Sequence, residues 1–332
     1  MNGISSTLGI IPTRVSSLSK VGVIIPTFNA APFWELLYSR LSLQGLAPEQ
    51  ILIIDSSSTD GTIDLARSVG YQCISIAQRD FNHGRTRQLG CNHFHWAELL
   101  IYMTQDALPA KSDSFSTLCD VFADPTIGAA CGRQLSRPEA NAIERHARLF
   151  NYPETSNKRN LSSRATLGLK ATFFSNSFAA YRRSSLLQAG GFPSNVIVAE
   201  DSVVAARLLI LGWEIAYVGD AAVVHSHAFT VRQEFSRYFD TGVHHAREPW
   251  IRRNFGGAGK EGQRFVISEL FYLRLHHLSL IPLALFRTLS KSLGYQLGIR
   301  ERYFPIVVKR YISSQPLFWN DIRNPKTTQG DN

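Results

Sequence analysis

Three short apolar runs, Val21–Ile25, Ile51–Ile54 and Leu99–Met103, each stop abruptly at polar side chains, and this constrains the fold more than any other feature. Runs of four or five mostly branched apolar residues, without polar alternation, read as strands buried on both faces. Between them lie helical signals. Pro32 suits a first turn and is followed by Phe33, Leu36, Leu37 and Leu41, residues 56–62 are rich in capping Ser, Thr and Asp, and His83 to Trp96 reads as a helix. A further strand is expected over Tyr71 to Ile76, a helix over 113–123 and a short strand over Ile127 to Cys131. This alternation predicts an α/β domain with a parallel, doubly wound sheet that holds its ligand beyond the strand ends. Those ends carry Thr27 with Asn29, Asp55, and Asp106.

A chain of 332 residues with 44% hydrophobic content can bury a full core. Its net charge of +9 is unevenly placed, because residues after 240 hold fourteen Lys and Arg against six Asp and Glu. Cys73, Cys91, Cys119 and Cys131 are scattered, without Cys-x-x-Cys spacing, which suits a reduced cytoplasmic chain. Residues 1–19 read as a flexible leader whose longest apolar run, Leu8 to Ile11, is too short for a signal peptide. No stretch reaches the roughly 18 apolar residues of a membrane-spanning helix. Neither Gly-x-Gly-x-x-Gly nor a Gly-x-x-x-x-Gly-Lys loop is present, so a dinucleotide dehydrogenase and a P-loop enzyme are both poorly supported.

The strand ends offer other chemistry. Asp106 reads either as a metal ligand or as a turn residue capping an amide. Asp55 is placed to accept from a pyrimidine imide, and Arg79, Arg85 and Arg87 to meet phosphates unless they form a solvated helix face. Glu200-Asp201 precede the apolar pattern Val203 to Leu211 at a helix N-terminus, where an acid serves as cap or as general base. His225 and His227 follow the strand Ala221–Val224 and share one side if it continues, as ligands or as packing histidines. Ser175-Asn176 suit sugar hydroxyls or a self-satisfied loop.

Several segments together resemble the GT-A fold, family 2 inverting glycosyltransferases. They are Val23-Ile-Ile-Pro-Thr-Phe-Asn29, Ile54-Asp-Ser-Ser-Ser-Thr-Asp-Gly-Thr62, Asp80-Phe-Asn-His-Gly84 and Thr104-Gln-Asp-Ala107. More narrowly, the last two resemble bacterial rhamnosyltransferases of O-antigen and related lipopolysaccharide and polysaccharide synthesis. Gly132-Arg-Gln134, Phe174-Ser-Asn176, Gly190-Gly-Phe-Pro193, Ala199-Glu-Asp201, His225-Ser-His227 and Arg237-Tyr-Phe-Asp240 extend the likeness over about residues 21–300.

The resemblance implies a mixed sheet flanked by helices over residues 20–240 and a basic, mainly helical extension over 241–332. It implies a nucleotide-diphospho-sugar donor, with dTDP-L-rhamnose favoured over other UDP- or GDP-sugars, and a saccharide or lipid-linked acceptor. Pro26, Thr27, Asn29, Asp55, Arg87, Gln105 and Asn176 are then donor contacts. Asp201 becomes the base, with Glu200 beside it. Asp106, with His225 and His227, becomes the site for Mg²⁺ or Mn²⁺. Two departures stand out: Gln105 occupies the first acid of the family's Asp-x-Asp, and Ser56 follows Asp55 where many relatives have a second Asp.

Beyond residue 240, Phe265 to Leu293 reads as a helix with apolar and basic residues interleaved. It suits peripheral contact with the cytoplasmic face of an anionic inner membrane, or packing on the catalytic domain. A non-catalytic basic module is the remaining alternative. Nucleic acid is disfavoured as a partner because the charge lies outside the α/β half and lacks aromatic and basic residues interleaved on strands.

Overall fold

The computed structural model describes residues 18–257 and 259–321. The expected leader therefore lies outside the described residues, apart from one tight turn at Leu18–Lys20. In chain order the strands are β1 (Val21–Thr27), β2 (Ile51–Asp55), β3 (Gln72–Ser75), β4 (Leu99–Met103), β5 (Leu108–Pro109), β6 (Ile127–Leu135), β7 (Asn157–Arg159), β8 (Phe178–Arg182) and β9 (Glu214–Val224). They form one sheet in the order β3-β2-β1-β4-β8-β6-β9-β5, with β7 also on β9.

The apolar runs are strands because both sheet faces are covered. Val23, Ile25, Ile51, Ile53, Ile101 and Met103 join one buried cluster, and Ile24, Leu52, Ile54, Leu100 and Tyr102 join another. Successive side chains alternate between those layers, as strand geometry requires. The parallel pairing sets Thr27 opposite Asp55 and Val23 opposite Ile101, which brings the polar ends of β1, β2 and β4 to the same edge.

The sheet is mixed, as the family resemblance implies, and not wholly parallel as the β-α-β spacing alone suggests. β8 runs antiparallel between β4 and β6. Its sequence, Phe-Ala-Ala-Tyr-Arg, is short and carries two alanines at its centre, which dilutes the strand preference of its aromatics. β6 also runs four residues past Cys131, through the polar Gly132-Arg-Gln134, beside β9.

Close backbone contacts join the scaffold. A Cβ on Gly84 would lie 1.8 Å from the Pro193 carbonyl oxygen, so the first turn of the helix His83–His93 sits directly against the chain at Pro193. The helix Val231–Arg247 crosses the helix Ile281–Ile299 equally closely: a Cβ on Gly298 would lie 2.0 Å from the Phe239 carbonyl oxygen. Residue 240, where the sequence reading divides domain from extension, falls inside the first of these helices. Buried Asp240 accepts from Ser313 Oγ at 2.6 Å and from the Ser314 amide at 2.8 Å. The single helix expected over 265–293 is two, Gly259–His276 and Ile281–Ile299, with Pro282 in the first turn of the second, where its missing N–H costs nothing.

Candidate active site

The chain leaves β4 through a turn in which the Ala107 amide donates to the Thr104 carbonyl, and this presents Asp106 to the end of β9. Asp106 Oδ1 lies 3.4 Å from His225 Nε2, Asp106 Oδ2 lies 3.1 Å from His227 Nε2, and the two imidazole nitrogens are 3.1 Å apart. Both histidines therefore face Asp106 although β9 ends at Val224. One ligand atom from each residue lies within 4.8 Å of the others. Burial opposes ionisation of Asp106, yet the adjoining His225 imidazole holds its carboxyl well below the usual carboxylate range. Burial, then the neighbouring His225, push the His227 ring down to about 4, which leaves it neutral at pH 7. One carboxylate and two imidazoles facing one point could hold a divalent cation, and the nitrogen donors suit Mn²⁺ better than Mg²⁺.

In an Asp-x-Asp that ends at Asp106 the first acid falls at Thr104, so Gln105 is the middle residue and not the expected acid. Its Oε1 accepts from the Phe28 amide at 2.8 Å and its Nε2 donates to the Phe28 carbonyl at 3.1 Å, clamping the loop after β1 to the end of β4. That loop borders a cavity of about 350 Å³ at the strand ends, lined among others by Pro26, Thr27, Phe28, Ser56, Arg87 and Gln105, and also by Leu317 from the C-terminal segment.

Asp55 and Asn29 are not among the lining residues. Asp55 accepts from Thr27 Oγ1 at 3.1 Å and from the Ser58 amide at 2.8 Å, while Asn29 accepts from the Thr59 amide at 3.0 Å. Ser56, which does line the cavity, is buried with its Oγ lacking a hydrogen-bond partner.

Glu200 and Asp201 open the helix Glu200–Ile210, preceded by Ala199 in the left-handed region at φ +63°. Arg87 does not project toward solvent: its Nη1 is 2.8 Å from Glu200 Oε1, and both residues are 5% exposed. Asn176 holds the acid pair, its amide N–H donating to Asp201 Oδ2 at 3.0 Å and its Nδ2 to Glu200 Oε1 at 3.2 Å. The Tyr181 hydroxyl donates to Asn176 Oδ1 at 2.7 Å, and the Ser202 amide donates to Asp201 Oδ1 at 2.8 Å. Burial raises Glu200, but Arg87 holds its carboxyl below the ordinary value. Burial, then the negative charge of Glu200, push the Asp201 carboxyl up to about 7. A site with one acid held ionised and its neighbour poised near neutrality is built for proton transfer.

Residues 22–189, half of the chain, match the family model described as Glycosyl transferase family 2. The chain belongs to that family. This family 2 glycosyltransferase is 44% identical over 305 residues to the O-antigen chain rhamnosyltransferase RfbN of Salmonella typhimurium strain LT2, covering 92% of this chain and 97% of the relative. It is 43% identical over 302 residues to the O-antigen chain rhamnosyltransferase WbaN of Salmonella anatum, covering 91% and 96%. Its fold is similar to that of the mannosyltransferase PcManGT from Pyrobaculum calidifontis, solved in complex with GDP-Man and Mn²⁺. The TM-score is 0.51 at 19% identity, over 93% of this chain and 88% of that one. The protein is thus an enzyme that transfers sugar, with the GT-A architecture.

Sequence reasoning left two of this glycosyltransferase's site residues without a role, Phe28 and Gln134. Phe28 lies inside the first motif, and Gln134 closes Gly132-Arg-Gln134, which has the mark of a polar tail on a buried strand.

Proposed function

We propose that the enzyme is an inverting rhamnosyltransferase that moves L-rhamnose from dTDP-L-rhamnose to a saccharide or lipid-linked acceptor in surface polysaccharide synthesis. The inverting chemistry rests on one observation: Asp201 is half-buried, raised toward neutrality and held by backbone amides on both oxygens. The choice of donor is supported by the likeness to RfbN over nearly its whole length. In this reading the acceptor hydroxyl oxygen attacks the anomeric carbon, the bond from that carbon to the diphosphate oxygen breaks on the opposite face, and the hydroxyl proton passes to Asp201. Glu200, kept ionised by Arg87, raises the proton affinity of Asp201 without competing for the proton. Asp106, His225 and His227 would hold Mn²⁺ or Mg²⁺, which when bound supplies positive charge for the departing diphosphate.

The strand-end cavity beside Thr27, Phe28 and Ser56 receives the nucleotide. The acceptor suits a second cavity, of about 450 Å³, bordered by His227, Arg237, Phe150, Phe265 and Glu269. Glu269 is 2% exposed with one carboxylate oxygen lacking a hydrogen-bond partner, and aromatic walls with a free acceptor fit a hydroxyl-rich ligand. Among the described residues no helix is long and apolar enough to cross a membrane. Ile267, Phe271 and Leu275 nevertheless form an exposed stripe on the helix Gly259–His276, and Leu289 and Leu293 another on Ile281–Ile299. With the local positive charge these faces suit peripheral contact with an anionic bilayer.

The test is a transfer assay with dTDP-L-rhamnose, UDP-sugars and GDP-sugars, each with Mn²⁺, reading product anomeric configuration by NMR. Turnover with dTDP-L-rhamnose and inverted configuration is expected. Turnover confined to another donor, or a retained configuration, contradicts the reading.

A further inference from the structure

Behind the histidine pair lies a buried amide whose orientation is dictated by chemistry. Gln134 is 2% exposed, near the end of β6, paired in register with Val223 of β9. Arg148 Nη1 donates to Gln134 Oε1 at 2.9 Å, and Gln134 Nε2 donates to Ser175 Oγ at 2.9 Å. A guanidinium has no acceptor, so the side of the Gln134 amide that faces Arg148 must be its oxygen. The same oxygen lies 2.9 Å from His225 Nδ1. That nitrogen must therefore carry a hydrogen and donate it. The His225 main chain is fixed as well, its amide donating to the Leu135 carbonyl at 2.9 Å.

We infer that Gln134, locked by Arg148, is a positioning residue that keeps the proton of His225 on Nδ1 and so leaves Nε2 as the nitrogen offered to a divalent cation beside Asp106. The opposing pull is Asp106 itself, whose carboxylate 3.4 Å from Nε2 favours a proton there in the metal-free protein. A proton on Nε2 would block that nitrogen as a ligand, because only a bare imidazole nitrogen coordinates. His227 Nε2, 3.1 Å from the same nitrogen, can accept a hydrogen from it or donate its own to it when it is bare. Gln134 thus decides whether the ring's hydrogen points to the amide oxygen or toward Asp106 and His227. It also joins the two halves of the site, since Ser175 adjoins Asn176, which holds Asp201. This inference deepens, and rests on, the proposed metal site.

The experiment combines two readouts on the full chain. In metal-free protein labelled with ¹⁵N-histidine, two-bond ¹H–¹⁵N spectra at neutral pH report which His225 nitrogen bears hydrogen. Binding of Mn²⁺ alone is followed by EPR. Wild type and Gln134→Glu, which keeps an acceptor for both Arg148 and His225, should show hydrogen on Nδ1. Gln134→Met should shift it to Nε2 and weaken Mn²⁺ binding by about 10- to 100-fold, the usual cost of losing such an outer partner. A bare Nδ1 in wild type, or an unchanged tautomer in Gln134→Met, would overturn the inference. Should Gln134→Met not fold, the wild-type spectrum and Arg148→Met, which frees the amide to turn over, carry the same decision. Failure of the metal site itself is read separately: His225→Ala would then match wild type in Mn²⁺ binding, whatever the tautomer.

Discussion

Arg87 and Glu200 meet at 2.8 Å with both side chains almost wholly out of solvent, and this pair ties the helix after Asn82 to the acid pair of the active site. Removing one partner of such a pair leaves an uncompensated buried charge, at a cost of about 3–5 kcal/mol. Arg87→Met should therefore lower thermal stability sharply and lose turnover. Adding Glu200→Gln should restore part of the stability but not the activity. Calorimetry on the single and double variants checks this; equal loss in both would show that the charge pairing is not what matters.

The pH dependence follows from Asp201. Its carboxyl is raised by burial and by Glu200, so the proton-free form needed to accept from a hydroxyl is lost as pH falls through about 7. Turnover at saturating donor should rise from pH 6 to pH 8 and then level. Glu200→Gln removes the negative neighbour, and the same profile should shift to lower pH. A profile that is flat between 6 and 8 in wild type would count against Asp201 as the base.

Gln105 lends itself to a counterintuitive substitution. Gln105→Asp places a second acid beside Asp106, yet it removes the donor to the Phe28 carbonyl and shortens the reach to the Phe28 amide. The expected result is a rise of several-fold in donor KM with little change in kcat. A gain in metal affinity or rate instead would mean that position 105 faces the ion.

In the proposed mechanism, metal dependence lies with Asp106 and the two histidines. Donor nucleotide should raise the melting temperature only with Mn²⁺ present, because a ligand stabilises the native state in proportion to its binding. EDTA should abolish the rise, and Asp106→Ala should abolish it even with Mn²⁺. A full shift in Asp106→Ala would remove that residue from the site.

Much of this was legible from residue pattern because β1, β2 and β4 are unbroken apolar runs whose ends must surface at one sheet edge. The grouping of Asp106 with His225 and His227 came from the family resemblance, because residue pattern alone leaves the acid as ligand or turn residue and the histidines as ligands or packing residues. What was hidden depends on contacts across the sheet. β8 is built from alanines and aromatics and has no periodic signal, so the support it gives Asn176 through Tyr181 could not be seen. Arg87 reads from sequence as a phosphate ligand, and its pairing with Glu200, 113 positions later in the chain, could not be seen there. Asp55 reads as a base contact until Thr27 and Ser58 are seen to occupy its oxygens. In each case the residue type announced a charge or an acceptor, and only the fold revealed which partner took it.

The most direct measurement is single-turnover transfer by Asp201→Asn at saturating dTDP-L-rhamnose, with donor affinity determined on the same protein. The account requires a loss of at least about 10²- to 10⁴-fold in the transfer step, the usual contribution of a positioned base, with donor affinity within a few-fold of wild type. Transfer at a rate close to wild type, with the donor bound normally, would contradict it.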